Sequence, residues 1–232
     1  MIQFVGAGPG AEDLITVRGA KLLEQADVVV YAGSLVNPAH LARTKQGCQI
    51  YDSASMTLEQ VMDVMIPAAQ AGKLVVRLHT GDPSIYGAIR EQMDVLDEQG
   101  IAYDVCPGVS SFCGAAAALH AEYTLPDVSQ TVILSRMAGR TPVPERESIR
   151  KLAEELIAGG YAPETPAAIV YKATWPDQRV FRTTIAGLEQ TAKDNGISKT
   201  ALITVGGFLG DTYERSKLYD PSFAHGCREA SK

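Results

Sequence analysis

With 232 residues, 46% of them hydrophobic, the chain can bury a substantial core, in one large domain or two of roughly 100 residues each. A net charge of -6 repels a phosphate backbone and argues against non-specific nucleic-acid binding; an acidic substrate would need a local basic patch. No apolar run approaches the roughly 18 residues of a membrane span, and residues 1–15 lack the charged start and apolar stretch of a signal peptide, so a cytoplasmic protein without membrane association is expected.

In chain order, Ile2 to Val5 reads as a strand that stops at a glycine loop, Thr16 to Gln25 as a helix and Val28 to Tyr31 as a second buried strand. Thr57 to Ala71 places Leu58, Val61, Met62, Met65 and Ala69 on one helical face, with Thr57 and Gln60 as a capping box, Gly72 as the stop and a kink expected at Pro67. Leu74 to Leu78 is the next strand. Ile85, Ile89, Met93 and Leu96 mark the helix after it, ended by Gly100, and Ile101 to Val105 is a strand followed by a PGVSS loop and a helix at Ala115 to Leu119. Such alternation implies crossover connections and a largely parallel sheet, with ligands at the loops leaving the strand C-termini.

The pattern restarts with an expected strand at Thr131 to Ser135, which puts a domain boundary near residue 122. A helix within Glu147 to Ala158 follows, then a strand at Ala167 to Tyr171, a turn at Trp175 to Gln178 and a strand at Val180 to Thr183. That pair must be antiparallel, because so short a loop makes no parallel crossover. A helix at Ile185 to Asn195, ended by Gly196, and a strand at Ala201 to Val205 complete it. The expected organisation is therefore two α/β domains, residues 1–122 with a largely parallel sheet and residues 123–210 with a mixed sheet, and a polar, loosely packed tail at 211–232.

Gly6-Ala7-Gly8-Pro9-Gly10 invites a dinucleotide-binding reading. Pro9, however, removes a backbone N–H from the loop, and the second strand ends in Tyr31 and Ala32 where a ribose-binding acid is expected. Asp82 and Pro83 in Gly81-Asp82-Pro83-Ser84-Ile85-Tyr86-Gly87 are a helix cap and first helical residue by preference. The same geometry exposes N–H groups and a carboxylate suited to a zwitterionic ligand. Pro107-Gly108-Val109-Ser110-Ser111 repeats the arrangement one strand later, as turn and cap or as hydroxyls facing the same crevice.

Arg136, Arg140, Arg146 and Arg150 fall within fifteen residues. Arg146 and Arg150 read as a solvated helical face, whereas Arg136 and Arg140, in a loop after a strand, could pair with substrate carboxylates. Cys48, Cys106, Cys113 and Cys227 form no CxxC pair, and the four histidines add no metal-ligand spacing, so no metal is expected. No nucleophile–base or paired-carboxylate arrangement stands out, and no catalytic residue is assigned.

VGAGPG at Val5 to Gly10, LIT-x-RG at Leu14 to Gly19, ADVVVYAGSLV at Ala26 to Val36, TGDPSIYG at Thr80 to Gly87, PGVSSF at Pro107 to Phe112 and YKATWPDQ at Tyr171 to Gln178, in this order, resemble the tetrapyrrole methylase family. Tyr31 to Val36, Arg140 to Glu145 and Lys172 to Pro176 resemble its branch of precorrin-4 or cobalt-precorrin-4 C-11-methyltransferases. The resemblance runs from residue 1 to about residue 207. It implies the fold of the class III S-adenosylmethionine methyltransferases, a homodimer, S-adenosylmethionine as cofactor and a precorrin-4-type tetrapyrrole as substrate in cobalamin biosynthesis. It places cofactor contacts on Pro9, Thr80, Gly81, Asp82, Ile85, Ser110, Ser111, Ala173 and Thr174. Gly8, Gly10 and Ser34 then border the tetrapyrrole, and Arg136 and Arg140 anchor its carboxylates.

One departure from the branch stands out near residues 153–155, where about twenty residues holding a strand and part of a helix are missing. Removal of an internal strand leaves a gap of about 4.8 Å and exposed edge groups. A tetrapyrrole-binding protein without methyl transfer, a methyltransferase of different regiospecificity and a nicotinamide reductase are the alternatives.

Overall fold

The computed structural model describes residues 1–33, 35–135 and 149–211. Contacts divide the chain into two compact units, the first comprising Met1–Ala115 together with Lys172–Gln178, the second the remainder.

Unit 1 is built on five strands, β1 (Ile2–Gly6), β2 (Val28–Tyr31), β3 (Gln49–Asp52), β4 (Val75–His79) and β5 (Tyr103–Cys106). They lie in the order β3-β2-β4-β1-β5 with every pairing parallel. Their helices are α1 (Val17–Gln25), α2 (Leu58–Gln70), α3 (Arg90–Glu98) and the first part, to Ala115, of α4 (Ser111–Leu119), which begins four residues earlier than expected.

Alternation along the strands sends Val5, Val29, Val76 and Leu78 to the face that Leu23 of α1 covers. Ile2, Phe4, Val28, Val30 and Val75 go to the other face, with Val61, Met62 and Met65 of α2 and Leu96 of α3. The chain leaves β1 towards β2 and leaves β4 towards β5, in opposite directions along the sheet. The crevice beyond the C-terminal ends of β1 and β4 is therefore a topological switch point, where open α/β sheets take ligands.

The capping box on α2 forms as expected. Gln60 N donates to Thr57 Oγ1 at 3.3 Å and Thr57 N donates to Gln60 Oε1 at 2.9 Å. Thr57→Ala is expected to lower the unfolding free energy by about 1 kcal/mol in urea titrations. The helix runs on through Pro67 to Gln70. Two other expectations change. β3 was not foreseen, and α3 begins at Arg90 instead of near Asp82, because Tyr86 (φ 56°) and Ala88 (φ 49°) adopt left-handed backbone that ends any helix there.

Unit 2 carries α5 (Ile149–Ala158), β6 (Pro166–Tyr171), β7 (Arg179–Thr184), α6 (Leu188–Asp194) and β8 (Ala201–Val205). The mixed sheet expected here is instead antiparallel in both pairings, in the order β7-β6-β8. Residues 131–135, expected as a strand, belong to none of the described ladders, and the pairings that remain, β6 with β7 and β6 with β8, are both antiparallel. Ala167 and Ile169 pack on Leu188, Ala192 and Ile197. Arg182 ties the unit's ends, donating to Leu119 O at 3.0 Å and Leu209 O at 3.1 Å.

Candidate functional site

Three loops of unit 1 meet beyond the ends of β1, β4 and β5. Gly8 and Gly81 exchange backbone hydrogen bonds, Gly8 N donating to Gly81 O at 3.2 Å and Gly81 N to Gly8 O at 2.8 Å. The approach is closer still between Gly6, Gly81 and Gly108. A Cβ on Gly6 would stand 2.5 Å from Gly81 O and 2.6 Å from Gly108 Cα, and one on Gly108 would stand 2.1 Å from Gly81 O. Three backbones are in contact here with no room for a side chain.

Asp82 ties two of these loops. Oδ2 accepts from Gly108 N at 2.8 Å, and Oδ1 accepts from Ser84 N at 2.8 Å and from the Ser84 hydroxyl. Burial pushes the carboxyl pKa up, but the bonds from the Ser84 hydroxyl, Gly108 N and Ser84 N outweigh it, and the net shift is downward. The foreseen capping role is thus present as a turn, and both oxygens also hold the loops. Asp82→Asn keeps one acceptor but aims an amide NH2 at a donor. It is expected to lower stability by about 1–3 kcal/mol in urea titrations at pH 7, with the deficit shrinking as pH falls through the lowered carboxyl pKa.

Residues 172–178 complete the constellation within unit 1. Thr174 Oγ1 accepts from Ala11 N at 3.0 Å, and the Trp175 ring lies so close to Gly10 that a Cβ there would be 2.1 Å from its Cδ1. A Cβ on Gly114 of α4 would meet Pro9 Cβ at 2.8 Å and Thr174 Cγ2 at 3.1 Å. Asn37 Nδ2 donates to Gly10 O at 2.8 Å. Thr174 itself has φ 69° and Lys172 φ 46°, and left-handed backbone is a genuine outlier for a β-branched residue. Thr174 N donating to Gln178 Oε1 at 2.6 Å and the 2.6 Å ion pair of Lys172 with Asp177 hold this strained turn.

Pro9, Gly81, Asp82, Ser110, Ser111 and Thr174 are therefore brought into one neighbourhood. Gly81 faces Ser110 and Ser111, where a Cβ would lie 3.5 Å and 3.4 Å away. Ile85 N donates to Asp82 O at 3.2 Å, Thr80 directly precedes Gly81, and Ala173 adjoins Gly10, its carbonyl oxygen 2.9 Å from a Cβ placed there. Gly8 and Gly10 share the first loop, with φ 83° and 156°. Ser34, Arg136, Arg140 and the tail at 212–232 lie outside the described residues.

The loops at 80–85, 108–114 and 173–174 contain hydroxyls, amides, carbonyls and the Asp82 carboxylate but no Lys or Arg. A sulfonium cation is not repelled by such a set, and α4 presents its N-terminal end at Ser111, suited to a carboxylate. S-adenosylmethionine, with both groups, fits these residues. Among the described residues no group of three or more His, Cys, Asp or Glu side chains is placed to hold a metal ion.

Sequence reasoning missed the polar side chains under these loops. Arg77 and His79 on β4 are buried on the Phe4 face, although a strand reading Val-Val-Arg-Leu-His signals them by its two basic positions. Burial lowers the Arg77 pKa to about 10. Burial and then the nearby Arg77 charge lower that of His79 to about 3, and its Nε2 has no hydrogen-bond partner.

A sequence model of the Tetrapyrrole (Corrin/Porphyrin) Methylases matches residues 1–189. The cobalt-precorrin-4 C(11)-methyltransferase of Methanocaldococcus jannaschii is 50% identical over 251 positions, covering 100% of this chain and 97% of the relative. Those 251 positions exceed the 232 residues of this chain by 19, so at least that many have no counterpart here. Among solved structures, one described as a cobalamin biosynthetic enzyme, cobalt precorrin-4 methyltransferase, superimposes with a TM-score of 0.83 at 45% identity, covering 90% of this chain and 96% of that one. A uroporphyrin-III C-methyltransferase from Thermus thermophilus, complexed with S-adenosylhomocysteine, gives 0.66 at 26% identity over 90% of this chain and 92% of its own.

Proposed function

Since the chain belongs to the tetrapyrrole (corrin/porphyrin) methylases, we propose that it transfers a methyl group from S-adenosylmethionine to carbon 11 of precorrin-4 or of its cobalt complex, in cobalamin biosynthesis. The observation that carries this reading is the meeting of the Gly8, Gly81, Ser110 and Thr174 loops at the switch point of the sheet, on a chain 50% identical to a cobalt-precorrin-4 C(11)-methyltransferase. S-adenosylmethionine supplies an electrophilic methyl on sulfur, and the macrocycle supplies the carbon nucleophile. What the chain contributes is positioning. Asp82 and Gly108 fix the loops that hold the cofactor, together with Pro9, Thr80, Ile85, Ser111 and Ala173. Gly8, Gly10 and Ser34 shape the substrate side, and Arg136 and Arg140 pair with its carboxylates. No proton transfer by a side chain is required to form the new carbon–carbon bond.

Cobalt, where present, is held by the macrocycle. The working protein is a cytoplasmic homodimer in this reading. Incubation with precorrin-4 and with its cobalt complex, followed by NMR location of the added methyl, is expected to place it on carbon 11. A methyl elsewhere on the ring would refute the regiospecificity.

The 19 positions without counterpart favour a second reading, a tetrapyrrole-binding protein that no longer transfers methyl. They suit a shortening near residues 153–155, beside a sheet of three strands. Calorimetry with S-adenosylhomocysteine separates the two. Saturable binding is expected, and no heat at millimolar ligand would leave only the second.

A further inference from the structure

Beneath the Gly81–Ala88 loop, one buried chain of hydrogen bonds runs from the sheet to the loop's far end. Arg77 Nη1 donates to Val30 O of the neighbouring strand at 3.2 Å, Arg77 Nε donates to Gln92 Oε1 at 3.1 Å, and Gln92 Nε2 donates to Ala88 O at 2.8 Å. Arg77 is 7% exposed and Gln92 4%. Among the described residues no carboxylate is bonded to this guanidinium, and burying an uncompensated charge is unfavourable. In some proteins a buried polar network of this kind fixes one conformation.

The conformation it fixes is an improbable one. Tyr86 and Ala88 both have positive φ without being glycine, each unfavourable by about 1 kcal/mol or more. Gly87 between them is pressed against Pro83, a Cβ there standing 2.1 Å from Pro83 O. α3 begins directly after, yet Ile89 at its N-cap makes no side-chain capping bond. Neither the loop's own preferences nor a cap holds this end of the segment, whereas its front end is held by Asp82.

We propose that Gln92, oriented by Arg77, is a positioning residue that sets the placement of the Gly81–Ala88 loop, and through it of the Gly81, Asp82 and Ile85 contacts to S-adenosylmethionine. The second half rests on the cofactor reading above; the first half does not. The neutral Gln92 amide accepts from Arg77 through its oxygen and donates to Ala88 O through its nitrogen simultaneously. A carboxylate at 92 keeps the first bond and loses the second, and a methionine of similar volume loses both.

Hydrogen exchange on the ligand-free protein tests the first half. In both Gln92→Glu and Gln92→Met, the Ser84 and Ile85 amides are expected to exchange about tenfold faster, the effect of one lost buried hydrogen bond. The β1 and β4 amides should keep their native protection. Unchanged loop exchange in both variants, wild-type exchange in Gln92→Glu, or a rise spread evenly over unit 1 would each overturn it. Steady-state kinetics test the second half. KM for S-adenosylmethionine is expected to rise about tenfold with kcat within about twofold, and a loosened loop with unchanged KM would remove the functional half. If wild-type protein shows no S-adenosylhomocysteine binding while exchange responds as expected, the cofactor reading falls and the positioning of the loop by Gln92 stands.

Discussion

Gly108→Ala is expected to lose methyl transfer by about 100-fold or more and to lower the unfolding free energy by roughly 1–3 kcal/mol. The added carbon would stand 2.1 Å from Gly81 O, 2.8 Å from Gly6 Cα and 3.0 Å from Gly6 C. All three are backbone atoms at the ends of β4 and β1, and none can swing aside as a side-chain tip can. Gly81 and Gly8 exchange two hydrogen bonds, and Gly108 N donates to Asp82, so relief of the clash shifts three loops together. A displacement of about 1 Å at the reacting groups suffices for the loss of rate. Urea denaturation and initial rates with S-adenosylmethionine check both parts; native stability together with native rate would show that the loops yield freely.

Acid destabilisation through His79 is the second large effect. Its folded-state pKa is about 3 against about 6.5 in the unfolded chain, so between those values the unfolded chain holds a proton that the folded protein does not. Stability is complete above about pH 6.5, falls by about 1.4 kcal/mol for each pH unit below it, and levels off near pH 3. Lowered carboxyl pKa values at Asp27 and Asp82, and the buried His40, work in the same direction. His79→Leu isolates the single group. Its stability relative to the native chain should improve by about 1.4 kcal/mol per unit from pH 6 to pH 4, read from urea midpoints. Parallel pH profiles would mean that His79 takes up its proton in the folded state.

Much of the parallel sheet is legible because β1 and β2 are near-continuous apolar runs and β4 opens on Val75-Val76, all buried on both faces. β3 is not legible. Gln49-Ile50-Tyr51-Asp52 lies at the sheet edge, mostly exposed, and carries no apolar pattern. Asp82-Pro83 gives a true turn signal but a false helix signal, since Tyr86 and Ala88 take backbone angles that their side chains do not announce. The mixed second sheet depended on residues 131–135, whose apolar composition suits a strand, whereas the described ladders run without them.

The glycine loops of the site could be read as ligand loops one at a time, while their mutual contacts are long-range and leave no local trace. Gly10 meets Trp175 across 165 positions of sequence, a juxtaposition that spacing rules do not reach. Arg77 and Gln92 lie on different elements, and their bond emerges only when α3 is laid on β4.

The membership of residues 172–178 in unit 1 has a consequence for biosynthesis. Ala115 leaves the ribosome well before Lys172, which follows roughly 57 residues later. At about 5–20 residues per second, the first unit waits roughly 3 to 11 s for the segment that covers Gly10 and bonds Ala11. During that interval the parallel sheet can form while the Pro9–Gly10 surface stays open to chaperones or premature ligands. Trp175 is the chain's single tryptophan, so its fluorescence times the moment at which the newborn enzyme closes its own loop.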